Sequence, residues 1–71
     1  MTPRLRGLQM ECDLLAAEIE LYRSGERREH DSGPDGRTID ITDLWIAHLE
    51  AVVAVKRSMI MKLKARLNPK P

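Results

Sequence analysis

Two histidines and one cysteine are the first side chains to weigh for a metal, a nucleophile or a general base in these 71 residues. His30 and His48 lie eighteen residues apart, and neither has a cysteine or a second histidine at metal-ligand spacing. His48 falls three residues after Trp45 and four before Val52, a spacing that places all three on one side of a helix and favours packing over catalysis. His30 stands in a run of charged residues and reads as a solvated side chain. Cys12 recurs in register with leucines and reads as a small apolar core residue rather than a reactive thiol. Asp40 and Asp43 are three apart, but they fit the start of a helix, where carboxylates complement the macrodipole. Gly33 and Gly36 flank a turn, and no Gly-Lys-Ser or Gly-Lys-Thr follows to make a phosphate loop. A domain this small hardly encloses a substrate pocket, so the sequence predicts no enzyme, no cofactor and no metal.

Charge is the chemistry that remains. The net charge is +1, which conceals an asymmetry along the chain. Residues 1–50 carry six arginines against eleven acids, a balance of −5, whereas residues 51–71 carry Lys56, Arg57, Lys62, Lys64, Arg66 and Lys70 with no acid. Ordinary helix surfaces mix signs and gain i,i+4 pairs, so an acid-free segment points to an anionic partner, with a solvated helix face as the plain alternative. Phosphate is the obvious anion, because each neutralised phosphate releases counterions. Base reading is not indicated, since there is no zinc finger and no aromatic interleaving. An anionic membrane surface competes in principle, but no Trp or Phe follows Trp45, and no membrane partner is expected. At 100° per residue, Lys56, Arg57 and Lys64 share one broad sector and become the candidate DNA-phosphate contacts. Lys62 and Arg66 fall elsewhere and, with Ile60, Leu63 and Leu67, become the candidate partner surface.

These residues need a scaffold, and composition limits what it can be. With no Phe, one Trp and one Tyr, the core must be aliphatic. A chain of this length buries only about 60% of its unfolded surface, and one cysteine makes no internal disulfide. Oligomerisation or docking is the remaining source of stability. The start of the sequence has no signal-peptide pattern, and no apolar run reaches the roughly 18 residues of a membrane span.

The pattern predicts helix, hairpin, helix. Thr2 and Pro3 are an N-cap and N1 pair. Leu5, Leu8, Cys12, Leu15, Ile19 and Tyr22 then recur at helical spacing, giving a first helix over about 3–23 that Ser24-Gly25 stops. A hairpin over about 26–41 follows, with a first strand near Arg27-Arg28-Glu29-His30-Asp31 and a turn through Ser32-Gly33-Pro34-Asp35-Gly36. Its second strand, Thr38-Ile39-Asp40-Ile41-Thr42, alternates apolar and polar residues and should lean on the helices through Ile39 and Ile41. Asp40 or Thr42 caps a second helix over about 42–67, ended by Asn68-Pro69. That helix is about 26 residues, or about 39 Å. It is longer than the first, so its basic end is expected to overhang. The expected core is Leu15, Ile19, Ile41, Leu44, Leu49 and Val52.

The order of these features resembles the gpW-like head-to-tail joining proteins of tailed bacteriophages. In that family a Thr-Gly stop precedes a hairpin with Asp-Gly-Arg at its turn, then Ser-Asp-Leu and Ile-x-x-Leu-Glu open the next helix. Here Ser24-Gly25, Asp35-Gly36-Arg37, Thr42-Asp43-Leu44 and Ile46-Ala47-His48-Leu49-Glu50 stand in those places. The likeness covers residues 14–50. It departs from the family in a first strand without valines and in a turn longer by Ser32-Gly33-Pro34. The resemblance implies an α+β domain of two antiparallel helices and a β-hairpin. It also implies a structural role in the virion, in a homo-oligomeric, twelve-fold ring assembled in the host cytoplasm. Such a ring sits under the portal protein, helps retain packaged DNA and carries a downstream connector, stopper or tail protein. Two other readings stay open: a small DNA-binding regulator working as a ribbon-type dimer, and a helical-hairpin adaptor unrelated to phage. Against the regulator, only one helix follows the strand, and Asp40 would repel phosphate.

Overall fold

Thr2 opens the first helix as its chemistry dictates: its Oγ1 accepts the Leu5 amide at 3.2 Å, and Pro3 takes the position where no amide is needed. In a computed structural model that describes residues 2–68, α1 runs over Pro3–Arg23. It ends where the Ser24 amide bonds the Glu20 carbonyl and Gly25 turns to φ +84°, a left-handed conformation that costs glycine nothing. Two three-residue strands follow, β1 over His30–Ser32 and β2 over Thr38–Asp40, before α2 over Thr42–Leu67. The strands pair antiparallel, His30 with Asp40, Asp31 with Ile39 and Ser32 with Thr38. The fold is therefore α+β, two helices with a small hairpin between them.

The first strand lies later than the sequence pattern placed it. Ser32 belongs to the ladder, whereas Arg27, Arg28 and Glu29 precede it. The turn is closed by the Gly33 amide on the Arg37 carbonyl at 2.8 Å and the Gly36 amide on the Gly33 carbonyl at 3.0 Å. Gly36 sits at φ +81°, and the Asp35 carboxylate accepts the Arg37 amide. This local bonding uses Ser32 as the last ladder residue, and the turn itself is Gly33–Arg37.

The core is two apolar clusters along one helix–helix seam. Ile19, Tyr22, Leu49 and Val53 form one, with Leu15, Trp45 and Ile46 packed at its edge. Leu5, Cys12 and Ile60 form the other, with Leu8 and Leu63 beside them. Cys12 is a core residue, as its place on the stripe predicted. Leu44 is not: it is 66% exposed, because the seam passes through Trp45, Ile46 and Leu49 and leaves Leu44 on another face of α2. Leu15, Ile41 and Val52 are only half-buried.

Nor does the hairpin lean on the helices through Ile39. Every residue of both strands is exposed, and Ile39 reaches back over Gly33, where its Cδ1 stands 3.2 Å from the place a Cβ would occupy. The hairpin is tied down by polar groups instead. Thr42 Oγ1 accepts the Glu29 amide at 3.0 Å, and the Ile41 amide donates to the Glu29 carbonyl at 2.9 Å. The buried Tyr22 hydroxyl donates to the Glu29 carboxylate at 3.0 Å. Asp40 accepts the Thr42 amide at 2.9 Å and the Thr42 hydroxyl, and it holds the Arg28 guanidinium on its other oxygen. The N-cap position of α2 is Ile41, with no side-chain cap bond, so neither Asp40 nor Thr42 caps the helix as expected. Asp40, one residue before the cap, instead accepts from the amide and hydroxyl of Thr42 in the first turn.

The expected overhang of α2 is absent among the described residues. Ile60 is buried and Leu63 half-buried against Leu5, Leu8 and Cys12, and Leu67 lines a groove with Thr2 and Leu5. The start of α1 reaches the end of α2 because the hairpin, not the helices, takes up the difference in length. The molecule is elongated, 60 × 23 × 17 Å.

Candidate functional site

An antiparallel pair brings the first turns of α1 to the last turns of α2, and both segments are basic. Arg4 and Arg6 on α1 join Lys62, Lys64 and Arg66 on α2, while residues 2–10 and 58–68 contain no acid. The first carboxylate along α1 is Glu11, and Lys56 already binds it at 2.6 Å. Residues 11–55 carry four arginines against eleven acids, a balance of −7. The asymmetry read along the chain is therefore one along the long axis of the molecule, with a cationic end and an acidic body and hairpin.

The five cations at that end make no ion pair with a carboxylate among the described residues. Arg4, Lys62 and Arg66 line one groove of about 270 Å³ floored by Met59 and Leu63. Lys64 lines a second, about 300 Å³, with Thr2, Leu5, Leu67 and Asn68. Each cation stands on a helix that packing already orders, so little further backbone order is lost when an anion arrives.

The sector drawn from helical angles is divided by the packing. Lys56 stands at the seam and is held by Glu11. Arg57 lies on the other side of the seam, in a groove of about 310 Å³ shared with Arg23 and the acids Glu20 and Glu50. Lys64 stands apart from both, beside Thr2. Lys62 and Arg66 do share a surface, joined there by Arg4. Of the expected partner contacts, Ile60 and Leu63 are occupied within the chain, whereas Lys62, Arg66 and Leu67 are exposed. Lys70 lies outside the described residues.

Arg4 and Arg6 are the residues that reading along the chain missed, since they were counted with the acidic half. The signal was available: two helices of similar length joined by a short hairpin must return the last turns of one to the first turns of the other.

Chemically, the cationic end can hold phosphate or carboxylate oxygens. Among the described residues no group of histidine, cysteine and carboxylates could hold a metal ion. No helix there is long and apolar enough to cross a membrane. The perturbed acids sit at the other end. Hydrogen bonds from the Thr42 hydroxyl, then Arg28 and the Thr42 amide, hold the Asp40 carboxyl well below the usual carboxylate range. Burial, then the Glu29 carboxylate, pushes the Tyr22 phenol up. Both serve the polar ties of the hairpin, and neither lines the grooves described above.

Compared with family models, curated proteins and solved structures, the chain finds no match. The functional reading therefore rests on the arrangement of these residues and on the resemblance of residues 14–50.

Proposed function

We propose that the chain is a connector subunit of a tailed-phage virion, one copy in a ring beneath the portal protein. The cationic end carries the reading. Copies standing side by side gather Arg4, Arg6, Lys62, Lys64 and Arg66 from every subunit onto one rim. The mutual repulsion on that rim is relieved by a polyanion threaded through or laid against it. Packaged DNA has that chemistry, and such contact reads phosphate rather than sequence. The helix–hairpin–helix order supports the same reading through its resemblance to the gpW-like joining proteins. The acidic hairpin end then faces away from DNA, toward the portal or toward the next connector or tail protein.

The test has two arms. Purified chain mixed with the portal protein of its own genome is imaged by electron microscopy, with a ring on the portal as the expected result. Binding to two duplexes of unrelated sequence is measured across salt concentrations. Equal affinities are expected, with a salt slope that falls by about one unit for each cation–phosphate pair removed by Lys62→Glu or Lys64→Glu. No ring on the portal, together with a strong preference for one duplex, sinks the reading.

A further inference from the structure

Two apolar stripes remain uncovered after the helices have paired. On α1, Met10 and Leu14 are 57% and 65% exposed, and Ala17 and the edge of Leu21 continue their row at helical spacing. On α2, Leu44, Val55 and Met59 are 66%, 68% and 50% exposed, with Ala51 and Val52 between them. A shallow groove of about 370 Å³ along His48, Ala51, Val52, Val55 and Lys56 forms the middle of this second row. The stripe on α1 faces away from α2, and the one on α2 lies on a flank of its helix, so the two do not meet within one molecule. Contiguous exposed rows of this kind mark contact surfaces.

We infer that the two stripes are the two halves of one head-to-tail contact between copies of this chain, the α1 stripe of each copy covering the α2 stripe of its neighbour. This deepens the ring reading and rests on it for closure of the assembly. Charge selects the pairing. The α1 stripe is rimmed by Glu11, Asp13, Glu18 and Glu20. The α2 stripe is rimmed by Lys56, which Glu11 of its own chain already holds, and by Lys62, which makes no ion pair among the described residues. A two-fold contact of α1 with α1 sets acids against acids, and only the unlike pairing sets acids beside lysines. Level selects it too. The ion pairs Glu11–Lys56 and Arg23–Glu50 show which residues stand abreast along the molecule. By that register Met10 is level with Met59 and Leu14 with Val55, each to within about one helical turn. Neighbours can therefore join without sliding along the long axis. A heterologous contact closes into a ring when its rotation divides the circle and its axial shift vanishes. This register favours the second condition, the ring reading supplies the first, and such closure leaves every cationic end on the same rim.

Complementary face variants test this directly. Leu14→Glu disables one stripe and Val55→Glu the other, and both positions are exposed, so helicity by circular dichroism should be unchanged. Sedimentation of the wild-type chain up to about millimolar, with and without a short duplex, should show species larger than a dimer, and each variant alone should sediment as a monomer. An equimolar mixture of the two variants should give a dimer and nothing larger, because one intact face remains on each. Should either variant unfold, Met10→Asp and Met59→Asp disable the same two stripes and carry the same expectations. A wild-type chain that stays monomeric under every condition overturns the inference. So does loss of association in Val55→Glu alone, the mark of a two-fold contact. Variants that still assemble on the portal would overturn this pairing of faces while leaving the ring reading intact.

Discussion

Where α1 meets α2, Ile19 is closed over by Leu49 and Val53, and the contact is made by hydrocarbon. Where the hairpin meets the helices, Glu29, Asp40 and Thr42 are joined by amides, hydroxyls and carboxylates, and both strands stay exposed. The first region gains stability in proportion to apolar area removed from water, without regard to direction. The second depends on the placement of a few donors and acceptors, each modest in net value but costly when left without its partner. The body should therefore respond to substitution in a graded way, and the hairpin to the loss of single groups.

The largest expected effect is in the seam. Leu49→Ala should cost about 2–5 kcal/mol in urea denaturation, a large part of the stability of so small a domain. Leu15→Ala, at a half-buried site, should cost less. A loss at Leu49 below about 0.5 kcal/mol would remove the seam as the source of stability. Next comes the joint. Thr42 is buried, and Thr42→Val strands the Glu29 amide at a cost of about 1–3 kcal/mol. Hydrogen exchange should quicken across residues 29–40 while the middle of α1 stays protected. Equal acceleration in both would show that the two regions unfold as one.

Two smaller effects depend on pH, in opposite directions. The folded state holds Asp40 below its ordinary value, so its contribution is present above the unfolded value of about 3.9 and lost as pH falls through and below it. Acid should loosen the hairpin joint first, and Asp40→Asn should remove that part of the pH dependence. Tyr22 is raised instead. Its contribution is present below the unfolded value of about 10 and fades as pH rises beyond it. Tyr22→Phe, which removes the hydroxyl that donates to Glu29, should lower stability modestly at neutral pH and should flatten the alkaline limb of the stability curve.

The same contrast explains what could be read in the sequence. Thr2-Pro3 and Ser24-Gly25 bound α1 because capping is a local chemistry, fixed by neighbouring residues. The row from Leu5 to Tyr22 marked the buried face of α1, since that helix has only one seam. On α2 the apolar residues run round much of the helix. Periodicity therefore could not choose Val53 and Ile60 for the seam over Leu44 and Val55, a choice made by the position of α1. The joint was illegible for another reason: the pattern marked Tyr22 as an apolar stripe residue and Thr42 as a helix cap, but it gave no sign that Glu29 would bring their hydroxyls together. The cationic end was half legible. Lys62, Lys64 and Arg66 stood out as a run, whereas Arg4 and Arg6 join them only through the antiparallel return of the chain.

That return has a practical consequence for labelling the protein. Thr2 and Asn68 border the same groove, so whatever is fused before the one or after the other emerges among the basic side chains. An acidic tag in either place would act as a tethered competitor for the anion. The turn between Pro34 and Gly36 lies at the opposite end of a molecule 60 Å long, solvated and closed by its own hydrogen bonds. A fluorophore or affinity peptide spliced there would leave the cationic rim bare.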